Sequence, residues 1–269
     1  MKSQEARVRR KAMLVDITMC VGCGACQAAC KMENGLPEEA EEKLSPTAWT
    51  ALETHGDTYV RRMCQHCEHP TCVSVCPVGA FQKHPEGPVT YDASKCLGCR
   101  YCIQACPFGV PRYEWTSRAP RVRKCRFCVD RQARGLPPAC VEACPTGATR
   151  YGDRDELIAE ARARIAAEPG RYVNHVYGVN EVGGTSVLYL SPVPFEQLGF
   201  KTDLQTTPLP VLTESVLHTL PGVVTLGGVF LAGVYWITNR RSEVARLERA
   251  LADAGSRGAA TPRREGEEG

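Results

Sequence analysis

The apolar and polar residues follow a regular pattern on either side of residues 16–150, whereas that central segment has many loops and little continuous apolar periodicity. Ahead of it, MLVDITMC (residues 13–20) predicts a first strand that leads into a loop. Aromatic residues make up only 7% of the chain, so few large rings are available to fill a core. The pattern predicts an α+β domain whose middle is held together by something besides apolar packing.

After the central segment, residues 153–167 (DRDELIAEARARIAA) predict an amphipathic helix. Asp153 is expected to cap this helix, with Glu156 three residues later as its capping-box partner. Glu168, Pro169 and Gly170 are expected to end it. The apolar residues on its buried face are Leu157, Ile158 and Ile165.

Residues 171–190 predict extended structure, with a hairpin formed by residues 172–176 and the strand VLYL at 187–190. His175 and Tyr177 either line a site or pack together as a pair that covers the domain surface, and the packed pair is preferred. Four prolines then predict a linker that is not regular helix. They are Pro192, Pro194, Pro208 and Pro210.

The most apolar part of the chain is residues 215–239, which contain no Asp, Glu, Lys or Arg. Its length fits one bilayer crossing, and Tyr235 and Trp236 are placed like interfacial aromatic residues. A buried core helix is the alternative, but little else in the chain could bury it. We expect a single transmembrane helix, in which His218 forms an interfacial hydrogen bond rather than ligating haem.

Positive charges around this span predict its orientation. Lys201 is the only Lys or Arg in the fifteen residues before it, whereas several arginines follow it closely. The tail of residues 240–269 should therefore be cytoplasmic, a short helix and then polar disorder, with the preceding domain on the periplasmic side of the inner membrane. The arginines after the span are Arg240, Arg241, Arg246 and Arg249.

All 16 cysteines lie between residues 20 and 144, in four groups of four. Three groups have the spacing C-x-x-C-x(2 or 4)-C-x-x-x-C, and the fourth is stretched in its middle. Proline follows the last cysteine of groups two, three and four, at Pro77, Pro107 and Pro145. The groups are Cys20, Cys23, Cys26 and Cys30; Cys64, Cys67, Cys72 and Cys76; Cys96, Cys99, Cys102 and Cys106; and Cys125, Cys128, Cys140 and Cys144.

This spacing is the bacterial ferredoxin pattern, in which three cysteines hold one [4Fe–4S] cluster and the fourth ligates another. Four groups predict four clusters. Groups two and three should exchange their fourth cysteines, and groups one and four should do the same around them. The expected ligands are Cys20, Cys23, Cys26 and Cys144 for cluster 1; Cys30, Cys125, Cys128 and Cys140 for cluster 2; Cys64, Cys67, Cys72 and Cys106 for cluster 3; and Cys76, Cys96, Cys99 and Cys102 for cluster 4.

Two other uses of cysteine fit less well. A structural zinc site takes four ligands and has no use for a third cysteine three residues after a C-x-x-C pair. A disulfide framework suits small secreted chains, whereas this chain of 269 residues is long enough to build a hydrophobic core without disulfide crosslinks. Iron–sulfur binding is therefore the preferred interpretation.

The predicted fold is two interleaved, loop-rich, ferredoxin-like dicluster domains followed by the transmembrane helix.

The formal net charge of +3 and the lack of a basic patch with stacking aromatics exclude a general nucleic-acid binder. Arg9 and Arg10 are not followed by an apolar stretch, so no export signal is expected. The predicted regions are an N-terminal arm (1–12), a four-cluster domain (13–150), a covering region (151–214), the span (215–239) and the tail (240–269); the inner half of the four-cluster domain is about 60–115 and the outer half is 13–59 with 116–150.

The chain resembles the four-cluster iron–sulfur subunits of membrane-bound respiratory oxidoreductases. The resemblance covers about residues 13–240 and is carried by CVGCGACQAAC, CQHCEHPTCVSVCPVGAF, CLGCRYCIQACPFGVPRY, CRFCVDRQARGLPPACVEACPTGA and HVYGVNEVGGTSVLYL. Among these proteins it is most similar to the beta subunit of respiratory formate dehydrogenase and to the ferredoxin-like subunit of hydrogenase-2-type hydrogenases. Their cluster ligation matches the pairing given above.

The resemblance implies a non-catalytic subunit that transfers electrons. A molybdenum or tungsten formate dehydrogenase subunit, or a nickel–iron hydrogenase subunit, would supply electrons, and a membrane subunit with or without haem b would reduce quinone. The alternative is the same module in a quinol-driven reductase of the dimethyl sulfoxide, polysulfide or nitrite type. Because the chain shows no export signal, the folded domain would travel with a partner that carries one.

Four cations flank the cysteines and would raise reduction potentials if they face the clusters. Their interpretation as ordinary solvated surface charges is preferred. They are Lys95, Arg100, Lys124 and Arg126.

Overall fold

A computed structural model describes residues 9–258 of the chain, in two units divided between Leu212 and Thr213. The first unit contains short strands and helices joined by long loops, and the second is helical. The elements are β1 (Lys11–Asp16), α1 (Ala25–Asn34), β2 (Thr50–His55), β3 (Thr58–Met63), α2 (Thr71–Ser74), β4 (Phe81–Lys83), β5 (Val89–Tyr91), α3 (Tyr101–Ala105), β6 (Arg112–Tyr113), β7 (Val122–Arg123), α4 (Val129–Gln132), α5 (Ala139–Glu142), β8 (Thr149–Asp153), α6 (Arg154–Ala167), β9 (Val187–Leu190) and α7 (Leu209–Gly258).

The centre of the first unit is a three-stranded sheet in the order β8–β1–β9. Strand β1 pairs antiparallel with β8 and parallel with β9. Because side chains alternate along a strand, Ala12 and Leu14 pack with helix α6, while Met13 and Val15 belong to the core that contains several of the cysteines. The first strand thus separates a helix-covered face from the cysteine-rich face, and both faces are buried.

Two predictions about this region are confirmed: β1 lies where the sequence placed a strand, and α6 ends at Ala167, just before Glu168, Pro169 and Gly170. Leu157 and Ile158 are buried against the sheet, and Ile165 is partly buried there. The arm predicted at residues 1–12 is shorter, because Lys11 already belongs to β1; residues 1–8 lie outside the described part. Strand β8 also crosses the expected boundary at residue 150.

The predicted capping box is wrong. Asp153 does occupy the position before α6, but its side chain makes no capping hydrogen bond. The β1–β8 register places Asp153 opposite Lys11, whose Nζ donates to Asp153 Oδ1 at 2.6 Å, and Arg9 donates to Oδ2 at 3.0 Å. The carboxylate is therefore used to pair the strands.

The predicted hairpin forms in part. Residues 187–190 are a strand, but their ladder partner is the distant β1. Residues 172–176 form no strand. The Val173 N–H donates to the carbonyl oxygen of Ser191, just after β9, at 2.9 Å, and an isolated β-bridge joins Tyr177 to Tyr189. A pairing partner more than a hundred residues away gives no signal in the local pattern.

The linker prediction is wrong at its end, because α7 begins at Leu209 and includes Pro210. Proline is tolerated in the first turn of a helix, where its missing N–H would have no helical partner. Helix α7 continues to Gly258, well beyond the predicted span and into the predicted tail; the rest of the tail lies outside the described residues.

Helix α7 is the one helix in the described part of the chain that is long and apolar enough to cross a membrane, by length and composition. Within its candidate segment, Leu209–Asp253, the most apolar 18-residue stretch has a mean hydropathy of 1.7 and is not buried within the protein. His218 lies on this helix 3.5 Å from Glu214 Oε1, with its side chain largely exposed.

Candidate metal centres

The sixteen cysteines lie in loops and at the ends of the short helices, and none forms a disulfide. Group one runs into α1, group two into α2, group three into α3, and group four spans α4 and α5. The helices pack in pairs, α1 against α5 and α2 against α3. Groups one and four are therefore brought together, as are groups two and three.

The last cysteine of three groups starts the same tight turn, with sequence C-P-x-G. The Gly79 N–H donates to the Cys76 carbonyl oxygen at 3.2 Å, and Gly79 has a φ of +60°, which favours glycine. The next residue, Ala80, donates its N–H to Cys76 Sγ at 3.2 Å. Equivalent carbonyl-to-glycine turns join Cys106 to Gly109 and Cys144 to Gly147. The proline thus opens a turn that aims a backbone N–H at the sulfur.

Backbone N–H groups also stabilise the charged form of individual thiols. Burial would raise the pKa of Cys144, but hydrogen bonds from the Thr149 and Thr146 backbone and from the Thr146 hydroxyl bring it below its ordinary value. Near group four, the Phe127 N–H donates to Cys125 Sγ at 3.3 Å. These loops are suited to thiolate ligands of an anionic group.

The thiols of groups two and three interlock at their ends. Burial, followed by the neighbouring thiols of Cys64, Cys106 and Cys72, raises the pKa of Cys67. Cys106 belongs to group three in sequence yet lies among the thiols of group two. Conversely, burial and the thiols of Cys96, Cys99 and Cys76 raise the pKa of Cys102 to about 12.

Groups one and four show the same exchange. Burial raises the pKa of Cys20, and the nearby thiols of Cys144 and Cys23 add to the effect. Burial and the thiols of Cys140 and Cys128 raise the pKa of Cys30 to about 12. The pKa of Cys20 in group one thus responds to Cys144 of group four, and the pKa of Cys30 responds most to two thiols of group four.

The spacing of these thiols does not suit a single ion. Within residues 9–258, no three His, Cys, Asp or Glu side chains are close enough to ligate one metal ion. Four thiolates around one zinc ion would lie in contact, at Zn–S distances of about 2.3 Å. A [4Fe–4S] cluster, which carries one electron at a time, takes four thiolates.

Two buried polar atoms without a partner lie inside the first C-x-x-C of group two. In the part of the chain that the structure describes, Gln65 Oε1 and His66 Nε2 are the buried side-chain atoms that lack a hydrogen bond. His66 Nδ1 accepts the Val89 N–H at 2.9 Å, so Nε2 carries the ring proton. Burial, Lys124 and Lys83 hold the His66 pKa well below its ordinary value, which keeps the ring neutral. An unpaired donor between two ligand cysteines also fits a bound sulfur-containing group.

One of the four flanking cations is not a surface charge. Lys124 is 5% exposed, and its Nζ donates to the carbonyl oxygens of Val89 and Cys125. The preferred interpretation is therefore wrong for Lys124, because the chain that follows β7 enters the interior. It is confirmed for the other three, which lie at the surface: Lys95 near Asp92, Arg126 paired with Asp130, and Arg100 over the Trp115 ring.

The sequence analysis missed Arg61, a fully enclosed arginine of β3. Its guanidinium Nη2 lies 3.0 Å from Cys140 Sγ. Burial would lower the pKa of Arg61, but the thiols of Cys140 and Cys26 raise it further than burial lowers it. The available signal was strand alternation, which places Arg61 on the same face as Met63.

His175 and Tyr177 form the packed pair that was preferred over a site. His175 Nε2 lies 2.7 Å from Glu181 Oε1. Tyr177 is buried, with its ring 4.8 Å from that of Phe200 and its hydroxyl donating to the Lys201 carbonyl at 2.9 Å.

Comparisons with known proteins also indicate an iron–sulfur protein. Residues 57–154 match the 4Fe–4S dicluster domain family. The chain is 37% identical over 281 residues to the hydrogenase-2 operon protein HybA of Escherichia coli O157:H7, covering 86% of this chain and 84% of that protein. It is 38% identical over 199 residues to the iron–sulfur subunit of the nitrate-inducible formate dehydrogenase of Escherichia coli K12, covering 66% of this chain and 67% of that subunit.

A third relative is the formate dehydrogenase iron–sulfur subunit of Haemophilus influenzae, which is 35% identical over 247 residues, covering 83% of this chain and 78% of that subunit. The interlocked thiols and these similarities lead to one family. The chain belongs to the [4Fe–4S] ferredoxin-like iron–sulfur subunits, which transfer electrons within oxidoreductase complexes and are not their catalytic subunits.

Proposed function

We propose that the chain holds four [4Fe–4S] clusters in two interleaved ferredoxin-like halves and conducts single electrons along them. The observation that carries this proposal is that the end cysteines of one group and the thiols of the paired group influence one another's pKa values. It is supported by the packing of α1 with α5 and of α2 with α3. Each proposed cluster then takes three thiols from one group and one from the other. The ligands are Cys20, Cys23, Cys26 and Cys144; Cys30, Cys125, Cys128 and Cys140; Cys64, Cys67, Cys72 and Cys106; and Cys76, Cys96, Cys99 and Cys102.

Thiols that influence one another across the quartets support a linear order of clusters 1, 2, 3 and 4. After burial and Arg61, Cys140 of cluster 2 has the largest effect on the pKa of Cys26 of cluster 1. Cys64 of cluster 3 is among the thiols that, after burial, raise the pKa of Cys125 of cluster 2.

The last junction joins clusters 3 and 4. After burial, Cys102 of cluster 4 is among the thiols that raise the pKa of Cys72 of cluster 3. These contacts form a chain without branches, so electrons that enter at one end leave at the other.

The names of the relatives, formate dehydrogenase and hydrogenase-2, suggest where the electrons originate. A molybdenum or tungsten formate dehydrogenase subunit or a nickel–iron hydrogenase subunit would donate them, and an integral membrane subunit would pass them to quinone. Helix α7 would anchor the chain in the cytoplasmic membrane. The arginines after residue 239 favour a cytoplasmic C-terminus, with the clusters on the periplasmic side.

The test is anaerobic purification of the full chain with its partners in mild detergent. The preparation is challenged separately with formate, dihydrogen and reduced quinone while the cluster absorbance near 400 nm is followed. Bleaching by formate or by dihydrogen supports the proposal and names the catalytic partner. Bleaching by reduced quinone alone overturns the proposed direction and assigns the chain to a quinol-driven reductase.

A matched variant tests the conducting role itself. The Cys99→Ala complex should still pass electrons from its substrate to an artificial dye but should no longer reduce quinone. Quinone reduction at the wild-type rate, with cluster 4 absent, would refute a serial path.

A further inference from the structure

Arg61 is a buried cation with no carboxylate partner among the described residues. Its Nε donates to Thr50 Oγ1 at 3.0 Å and its Nη1 to Thr149 Oγ1 at 3.1 Å, both neutral hydroxyls. Its Nη2 contacts only sulfur: Met63 Sδ at 2.9 Å, Cys140 Sγ at 3.0 Å and Met13 Sδ at 3.4 Å. The side chain is 2% exposed, so water does not solvate the charge.

The neighbouring arginine of the same strand is a useful contrast. Arg62 points to the opposite side of β3, where its Nε donates to Glu53 Oε2 at 2.7 Å and its guanidinium lies 4.1 Å above the Phe200 ring. Its charge is balanced by a carboxylate, as is usual for an arginine that is partly buried. Arg61 lacks such a partner, and an unpaired buried charge is strongly disfavoured.

The negative charge nearest Arg61 comes from cysteine sulfur. Cys140 and Cys26 have the largest effects on its pKa after burial, and Cys125 also contributes. In the proposed function, Cys26 ligates cluster 1, whereas Cys140 and Cys125 ligate cluster 2. The guanidinium therefore lies between the two proposed ligand quartets. Its N–H groups contact the sulfur of Cys140 and donate to the two threonine hydroxyls, which orient the side chain.

We propose that Arg61 is a fixed counter-cation shared by clusters 1 and 2 that raises the reduction potentials of both. This inference rests on the proposed function. Reduction adds one electron to the site, and Arg61 keeps its proton throughout, so no bond forms or breaks at this residue. A permanent positive charge favours the state with the extra electron, and the low-polarity surroundings strengthen the effect. Arg61 acts through the clusters and is a positioning and tuning residue.

The experiment is an anaerobic redox titration of the full chain in its complex, followed by EPR, with iron and sulfide measured first. Three variants are compared: Arg61→Gln, which removes the charge; Arg61→Lys, which keeps it; and Arg62→Gln, the matched control on the same strand. In Arg61→Gln, two of the four potentials should fall, each by at least a tenfold change in the reduction equilibrium, which is about 59 mV for one electron. Arg61→Lys should show smaller shifts, and Arg62→Gln should show none.

The outcomes separate the two proposals. Fewer than four clusters in the wild-type chain would refute the proposed function. Four clusters whose potentials are the same in Arg61→Gln and wild type would refute the role of Arg61 alone. If Arg61→Gln fails to retain its clusters, the potentials of Arg61→Lys decide the question: two potentials shifted by less than about 59 mV support the inference, and larger shifts overturn it. Loss of clusters in both variants would overturn it, because shape rather than charge would then be decisive.

Discussion

The ligand exchange makes a prediction that sequence order alone would not make. Cys76 ends group two, but its thiol lies with Cys99 and Cys102 of group three. The Cys76→Ala variant should therefore lose the same cluster as Cys99→Ala. Cys72→Ala, only four residues earlier in the chain, should lose a different one.

The size of the effect follows from the quartets. Each quartet holds one cluster of four irons, so four quartets hold about sixteen irons and removal of one cluster leaves about twelve. The loss should be confined to one cluster, because each of the other three keeps all four of its thiols. Cys76→Ala and Cys99→Ala together should lose no more iron than either alone, whereas Cys76→Ala with Cys72→Ala should leave about eight irons.

Iron and acid-labile sulfide per chain, with EPR spectra recorded during redox titration, measure this outcome. Ser74→Ala is the matched control, because Ser74 is exposed on α2 between the two cysteines and should lose nothing. The exchange between groups two and three would be refuted if Cys76→Ala and Cys72→Ala lost the same EPR signal. In that case Cys76→Ala would keep the signal that Cys99→Ala loses.

Three further predictions concern the protein around the clusters. The side chain of Glu68 is only 9% exposed and lies near two arginines and a lysine, so Glu68→Gln should lower the free energy of unfolding of the anaerobic protein by about 3–5 kcal/mol. Glu156→Gln, at an exposed position of α6, should cost under about 1 kcal/mol, and equal losses would contradict this. Tyr177→Phe removes the hydrogen bond to the Lys201 carbonyl and should cost about 1 kcal/mol by the same measurement, with cluster potentials unchanged; a change in the potentials would contradict its role as a packing residue. A chain that ends at Leu212, produced without its partner subunits, should keep its iron but leave the membrane fraction; continued membrane binding under these conditions would show that α7 is not the anchor.

The features that the sequence predicts well are local in the chain. Cysteine spacing and the following proline predict the four groups, and the C-P-x-G turns of the structure follow from residues that are adjacent in sequence. Helix α6 was predictable because its apolar residues recur at helical spacing and Glu168, Pro169 and Gly170 end it. Each of these elements is specified within about twenty residues or fewer.

The features that the sequence does not predict depend on distant partners. Asp153 has the chemistry of a helix cap, but pairing of β8 with β1 brings Lys11 within 2.6 Å and gives the carboxylate another role. Lys124 and Arg61 would be surface residues by residue type, yet both are buried in the folded chain. A charge there is tolerable only where thiolates lie nearby, and that proximity exists only in the folded chain.

The central claim, that this chain holds four [4Fe–4S] clusters on sixteen thiolates, is tested most directly by counting. Iron, zinc and acid-labile sulfide should be measured per chain on the full protein purified anaerobically from its own membranes. We predict about sixteen irons and sixteen sulfides with no stoichiometric zinc. About eight irons, or zinc in place of iron, would contradict the account.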